Sequence, residues 1–269
     1  MPETAEFLPF TDNVYRTGAK KISFCKKKFP NFFFYKNMIK TVIHSSRLGR
    51  TNRLTFTAWG KQSIDMLQHL ENVGGQFEIS GIENIREINT PCVYVSNHMS
   101  VLETFVLPCL LIPYQKIAFV VKESLVKYPV FKHVIGNLEP VVVGRENPRQ
   151  DLVTVLEQGA ERLSRGISMV IFPQRTRMMH FNPEEFNTIG IKLAKRAGVP
   201  VVPVAVKTDA WGQGKLVKDF GKVDPAKAVY ITFGEPMAIT GNGQEQHQKC
   251  IEFIKAHTEE WFRKQETGK

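Results

Sequence analysis

Between Asn13 and Ile64 the chain has no aspartate or glutamate at all, yet it carries twelve lysines and arginines there. The 269 residues hold 36 basic and 26 acidic side chains, a formal charge of +10, and setting this stretch aside leaves 24 basic against 26 acidic. The basicity is therefore local, and it calls for an anionic partner at the N-terminal end. Cysteine is scarce as well: Cys25, Cys92, Cys109 and Cys250 are far apart and form no C-x-x-C pair. That spacing argues against a zinc site and against a disulfide framework, so reduced, mostly buried thiols and no metal are expected. No stretch reaches the roughly 20 apolar residues of a transmembrane helix, because Lys36, Asn37 and Lys40 interrupt the best candidate. The first residues, MPETAEFLPFTDNVYRTG, hold two early glutamates and no long apolar run, which is not the pattern of a secretory signal. The expected location is the cytoplasm or the cytoplasmic face of the cell membrane, peripheral or monotopic.

Within the basic stretch lies FPNFFFYKNMIKTVIHS, where Phe32, Tyr35, Ile39 and Val42 recur at helical spacing. Phe34, Met38 and Ile43 join them, while Lys36 and Lys40 fall mostly elsewhere. Large apolar residues among lysines suit an interfacial helix on an anionic membrane surface; a helix packed on the core with a solvated basic face gives a similar pattern. No nucleic-acid-binding motif accompanies the charge, so membrane lipids are the expected partner and nucleic acid is not. Residues 54–73 read as a second helix, stopped by Gly74 and Gly75.

The chain thus divides into a basic N-terminal segment with a two-helix membrane-docking element, residues 1–75, and an α/β domain, residues 76–269. Short valine-, isoleucine- and phenylalanine-rich runs predict strands over Gln76–Ser80, Cys92–Ser96, Ile117–Val121, Pro140–Val143, Ser168–Phe172, Val201–Val206 and Val229–Phe233. Helical periodicity predicts helices over Val101–Leu111, Pro148–Arg165, Thr188–Ala197 and Gln244–Lys264. Strands that alternate with helices require crossovers, so a largely parallel or mixed sheet flanked by helices is expected. In such sheets, sites gather at the carboxyl ends of strands.

VYVSNHMSVLETF puts His98 just past a buried strand, with Glu103 five residues on. A base and its orienting carboxylate fit there, as does a structural histidine bonded near Asn97 or Ser100. Seven histidines among 26 acids give roughly 0.7 such pairs by chance, and the chain has three, with His180–Glu185 and His247–Glu252 the others. Spacing alone therefore decides nothing. His247 falls in a predicted helix, where positions five apart do not share a face, and solvated surface is expected for that pair. His180 follows the loop FPQRTR, which carries Arg175 and Arg177 past the end of another strand, and VVVGREN places Arg145 likewise. Cationic forks at strand ends suit a phosphate or a carboxylate, although a surface arginine cluster reads the same way.

The ordered blocks NHMSVLE, VKESLVKYPVF, VVVGREN, FPQRTR and GVPVVPVAV, over roughly residues 78–235, resemble those of the glycerolipid acyltransferase superfamily, the lysophosphatidate acyltransferases in particular. The resemblance implies acyl transfer from a thioester, acyl-CoA or acyl-ACP, to the free hydroxyl of a lysophospholipid such as 1-acylglycerol 3-phosphate. No cofactor beyond that co-substrate is implied, and acyl carrier protein becomes a candidate partner. His98 matches the catalytic histidine, and Glu103 stands where aspartate is usual. Lys122, Arg145 and Arg177 match family basic residues, Arg177 being the one assigned to the acceptor's phosphate, and Pro203 matches the proline of the last block. Gln174 and Arg175 depart from the family's F-P-E-G-T-R, replacing its glutamate and glycine, so a more cationic pocket is expected. Asn97, Ser100 and Thr176 complete the expected substrate-binding set, and backbone N–H groups just after Asn97 are the expected oxyanion donors. Two alternatives share these residues: a different lysolipid or amino-acid lipid as acceptor, and a non-catalytic fold that binds anionic membranes.

Overall fold

A computed structural model describes residues 8–128, 131–214 and 218–267. From the N-terminal end, β1 (Tyr15–Arg16) leads to three helices, α1 (Phe24–Lys28), α2 (Pro30–Arg50) and α3 (Phe56–Glu71). Next come β2 (Phe77–Ser80), α4 (Glu83–Arg86), β3 (Val93–Ser96), α5 (Leu102–Leu111), β4 (Lys116–Lys122), α6 (Glu123–Lys127), α7 (Phe131–Ile135) and β5 (Val141–Val143). The chain continues with α8 (Pro148–Ser164), β6 (Ile167–Ile171), α9 (Ile189–Ala197), β7 (Val201–Lys207), β8 (Val229–Phe233) and α10 (Gln244–Thr267). The seven predicted strands and four predicted domain helices are all present with ends shifted by a few residues. β1, α1, α4, α6 and α7 were not anticipated, being at most five residues long and too short to show a period.

The eight strands form one mixed sheet in the order β1-β2-β8-β7-β3-β6-β4-β5. β7, β3, β6, β4 and β5 run parallel, whereas β8 is antiparallel to β7 and β1 to β2. Strands β3, β6 and β7 are buried on both faces, which explains their continuous rather than alternating apolar runs. Alternate residues feed two cores. Tyr94, Val170, Val202 and Val204 face a cluster shared with α2, α3 and α5. Val93, Val95, Met169 and Val201 face the cluster under α8, α9 and α10.

The two N-terminal helices share the first of these cores with the sheet, through Phe34, Met38, Met66, Leu67 and Leu70. α2 begins at Pro30, where the missing N–H costs nothing. Its predicted apolar stripe divides in two. Phe34 and Met38 are buried, and Tyr35 and Val42 pack partly against the core. Phe32, Ile39 and Ile43 stay exposed, as do Phe24 and Phe29. Lysines interleave with these rings: Lys28 Nζ lies 5.7 Å from the Phe29 ring centre and Lys36 Nζ 5.9 Å from that of Phe32. Among the described residues, no helix is long and apolar enough to cross a membrane.

Candidate active site

β3 lies between β7 and β6, so the loops after these three parallel strands converge at one end of the sheet. After β3 the chain turns through His98 and enters α5, with Glu103 as its second residue. This position lets the glutamate reach back over the helix start, where free N–H groups and the helix dipole favour an anion. Its Oε1 accepts from Met99 N at 2.7 Å and Ser100 N at 2.9 Å, and Oε2 accepts from Thr208 Oγ1 at 2.6 Å. Ser100 Oγ lies 2.9 Å from both Oε2 and Thr208 Oγ1, and its single proton goes to one of them. His98 Nδ1 is 2.8 Å from Oε1. Glu103 is fully buried, while 17% of the His98 side chain is exposed.

Burial alone would push the Glu103 carboxyl up. The hydrogen bond and charge of His98, joined by Thr208 and the backbone, outweigh burial and hold the group below the ordinary carboxylate range. Ionised Glu103 can only accept, so Nδ1 carries the proton in the neutral imidazole and Nε2 presents a lone pair. Phe172, just past β6, stacks on the imidazole with ring centres 4.4 Å apart and so fixes its plane.

The loop after β6 clasps His98 at both ends. Gln174 Oε1 accepts the His98 backbone N–H at 2.7 Å, and Met178 N donates to the His98 carbonyl at 2.9 Å. Arg175, Thr176 and Arg177 lie between these two anchors and are therefore held beside the histidine. Arg145, at the carboxyl end of β5 with φ +66°, sends Nη1 to the Arg175 carbonyl at 3.0 Å. Its left-handed backbone is stabilised by Asp151, whose carboxylate takes the N–H groups of Gly144 and Arg145. Arg175 and Thr176 are exposed, Arg177 is half-buried, and Lys122 is exposed at the end of β4.

Three residues of the expected substrate-binding set are buried and hydrogen-bonded to the scaffold: Gln174, through the His98 N–H, Asn97 and Ser100. Asn97 is buried with both side-chain ends on Val206, Nδ2 donating to its carbonyl at 2.8 Å and Oδ1 accepting its N–H at 2.9 Å. It therefore locks β7 against the turn after β3. Ser100 orients Glu103 and accepts from Leu102 N at 3.0 Å. The expected oxyanion donors are also engaged, since the N–H groups of His98, Met99 and Ser100 all point at Gln174 or Glu103. His180 is exposed and lies 4.7 Å from the ring of Phe262. His247 is not the solvated surface residue expected: it is half-buried and stacks on Phe186 at 5.9 Å, although Glu252 is exposed.

Sequence reading missed Thr208 and Phe172, both of which touch the dyad. Each stands just past a strand, which is the available signal, but only the strand order brings those ends together. No group of histidine, cysteine or carboxylate side chains among the described residues could hold a metal ion.

The profile of the acyltransferase family matches residues 76–207, from β2 through β7. A 1-acyl-sn-glycerol-3-phosphate acyltransferase of Pseudomonas aeruginosa is 36% identical over 189 residues, 70% of this chain and 68% of the relative. The chain belongs to the acyltransferase family. A chloroplastic 1-acyl-sn-glycerol-3-phosphate acyltransferase, BAT2 of Brassica napus, is 33% identical to this acyltransferase over 140 residues, 52% of the chain and 38% of the longer plant protein. The fold is that of the 1-acyl-sn-glycerophosphate acyltransferase PlsC of Thermotoga maritima, with a TM-score of 0.63 at 21% identity, covering 88% of this chain and 96% of that one.

Proposed function

We propose that this acyltransferase moves a fatty acyl group from acyl-CoA or acyl-ACP to the free hydroxyl of 1-acylglycerol 3-phosphate at a membrane surface, in phospholipid synthesis, with His98 as the base. The observation that carries this is the His98–Glu103 pair, whose Nε2, without a hydrogen-bond partner among the described residues, belongs to a histidine clasped at both ends by the arginine-bearing loop. The relatives named for this acceptor support it.

An alcohol is a weak nucleophile until its proton leaves. In the proposed step Nε2 takes the acceptor's O–H proton as the oxygen attacks the thioester carbonyl. The tetrahedral oxyanion then collapses, the C–S bond breaks, and the leaving thiolate takes the proton back from Nε2. Glu103 stabilises the imidazolium formed between these events, as the acid of a catalytic triad does. The acceptor hydroxyl stands where such a triad has its own nucleophile, so no acyl-enzyme forms and no cofactor is needed. Arg177, with Arg175 and Arg145, holds the phosphate by charge-assisted hydrogen bonds.

The exposed Phe24, Phe29, Phe32, Ile39 and Ile43, set among lysines, form the surface that meets the lipid. Apolar insertion and attraction to anionic headgroups act together there. The acyl chains then remain in lipid while the headgroup is read in water. An anionic cytoplasmic leaflet suits the basic segment best, so the proposal puts the enzyme on that face. Purified protein incubated with labelled acyl donor and a panel of lysolipids tests the reading: diacylglycerol 3-phosphate is the expected product. Free fatty acid in place of it would make the protein a thioesterase, and acylation confined to another lysolipid would change the acceptor.

A further inference from the structure

Arg177 has a partner that acyl transfer does not require. Its Nη2 pairs with Oδ1 of Asp219, from the segment between β7 and β8, and the pair is half-sheltered, with 17% of the arginine side chain and 45% of the aspartate exposed. Gln213, from the same segment, donates its Nε2 to the Arg177 carbonyl at 3.3 Å. Just past Asp219 the segment is fastened to α2: Tyr35 Oη donates to the Gly221 carbonyl at 2.5 Å, and Val223 N donates to Asn31 Oδ1 at 2.7 Å. Asp219 is thus delivered to Arg177 from a fixed base two residues away. Among the described residues Arg177 is the one arginine of Arg145, Arg175 and Arg177 that is ion-paired.

A carboxylate and a phosphate offer a guanidinium the same fork of oxygens. We propose that Asp219 is a specificity residue whose carboxylate occupies, in the free enzyme, the position on Arg177 that the acceptor's phosphate takes. Acceptor binding is then an exchange of one anion for another. A phosphomonoester, close to doubly charged at neutral pH, displaces the carboxylate, whereas a neutral headgroup offers nothing in return and leaves the pair closed. Until the exchange, the arginine is ordered and its charge compensated. This inference rests on the reading of Arg177 as the ligand of the headgroup phosphate.

Asp219→Asn keeps the shape and removes the competing charge. With the full chain acylating 1-acylglycerol 3-phosphate, the KM for the acceptor is expected to fall about 1.5- to 5-fold, the range that partly exposed ion pairs support. The change falls on KM rather than kcat, and inorganic phosphate, used as a probe, inhibits at correspondingly lower concentration. Asp219→Glu, which keeps the carboxylate, stays near the wild-type KM. On an Arg177→Ala background Asp219→Asn has no further effect, because the partner is gone. An unchanged or raised acceptor KM in Asp219→Asn, or an equal fall in Asp219→Glu, overturns the exchange while Arg177→Ala still raises KM and the headgroup reading stands. An Arg177→Ala variant with wild-type acceptor KM overturns the headgroup reading itself, and the exchange with it.

Discussion

Replacing Glu103 by glutamine keeps volume and one carbonyl oxygen and removes the charge. The amide oxygen takes the place of Oε1, which accepts from His98 Nδ1, Met99 N and Ser100 N, and the NH2 falls at Oε2. There the hydroxyls of Ser100 and Thr208 can rotate from donors to acceptors, while Ser100 N, which lies 3.1 Å from Oε2, keeps its shorter 2.9 Å bond to the remaining oxygen. The imidazole keeps its tautomer, and what disappears is the attraction between carboxylate and imidazolium. Unit charges about 4 Å apart at an effective dielectric of about 20 attract by about 4 kcal/mol. The amide dipole retains part of this, leaving a loss of about 2–4 kcal/mol, on the order of 30- to 1,000-fold in kcat. Initial rates at saturating donor and acceptor measure it, with circular dichroism verifying the fold. Acid stability supplies a second readout. The folded state holds the Glu103 carboxyl down, so its contribution is complete above the unfolded value of about 4.3 and is lost as pH falls through the lower folded value. The gap in denaturation midpoint between wild type and Glu103→Gln should therefore shrink as pH drops from about 5 toward about 3. A variant within about fivefold of wild-type kcat would refute the stabilising role, since that loss is only about 1 kcal/mol.

Thr208→Val removes one donor to the buried carboxylate at nearly constant volume, and a loss of about 1.5–3 kcal/mol is expected in urea unfolding. Its kcat should fall while the KM for the acyl donor holds; wild-type stability would remove Thr208 from the dyad's support. Phe29→Ser with Phe32→Ser tests the lipid face: both rings are more than half exposed, and neither belongs to the core. At about 1.5 kcal/mol per inserted ring, binding to anionic vesicles should weaken on the order of 100-fold with thermal stability unchanged. Undiminished vesicle flotation would discard that face as the docking surface.

How much of this was legible in the sequence follows the range of the forces involved. Strands β3, β6 and β7 declare themselves because they are buried on both faces and read as unbroken apolar runs. His98 and Glu103 were visible as a pair, yet so were His180–Glu185 and His247–Glu252, and five-residue spacing cannot separate them. Only the first pair brackets the start of an α-helix, where the histidine precedes the helix and the glutamate, in its first turn, reaches back to the imidazole; Glu185 lies in a 3-10 turn after His180, and His247 and Glu252 both lie inside α10. Glutamate in place of the family's aspartate is accommodated by that backward reach over the N–H groups of Met99 and Ser100. Thr208 and Asp219 were out of sight because their roles depend on β7 lying next to β3 and on Asp219 and Gln213 meeting Arg177. Those are long-range pairings with no local periodicity. Asn97 and Ser100 looked like substrate ligands because polar residues beside a base usually attract that reading; buried, they turned inward to the backbone and to the carboxylate. The amphipathic helix was recognised, but its division into a core face and an exposed face depends on where Trp211 and the sheet sit. Phe34 lies 4.9 Å from Trp211, whereas Phe32, two residues earlier, faces outward.

The most direct test is the rate of acyl transfer by His98→Ala at saturating donor and acceptor, in protein whose vesicle binding matches wild type. Loss of the base should lower kcat by at least about 100-fold and leave acceptor binding in place. Turnover near the wild-type rate would contradict the account, because a group other than the imidazole held by Glu103 would then be taking the acceptor's proton.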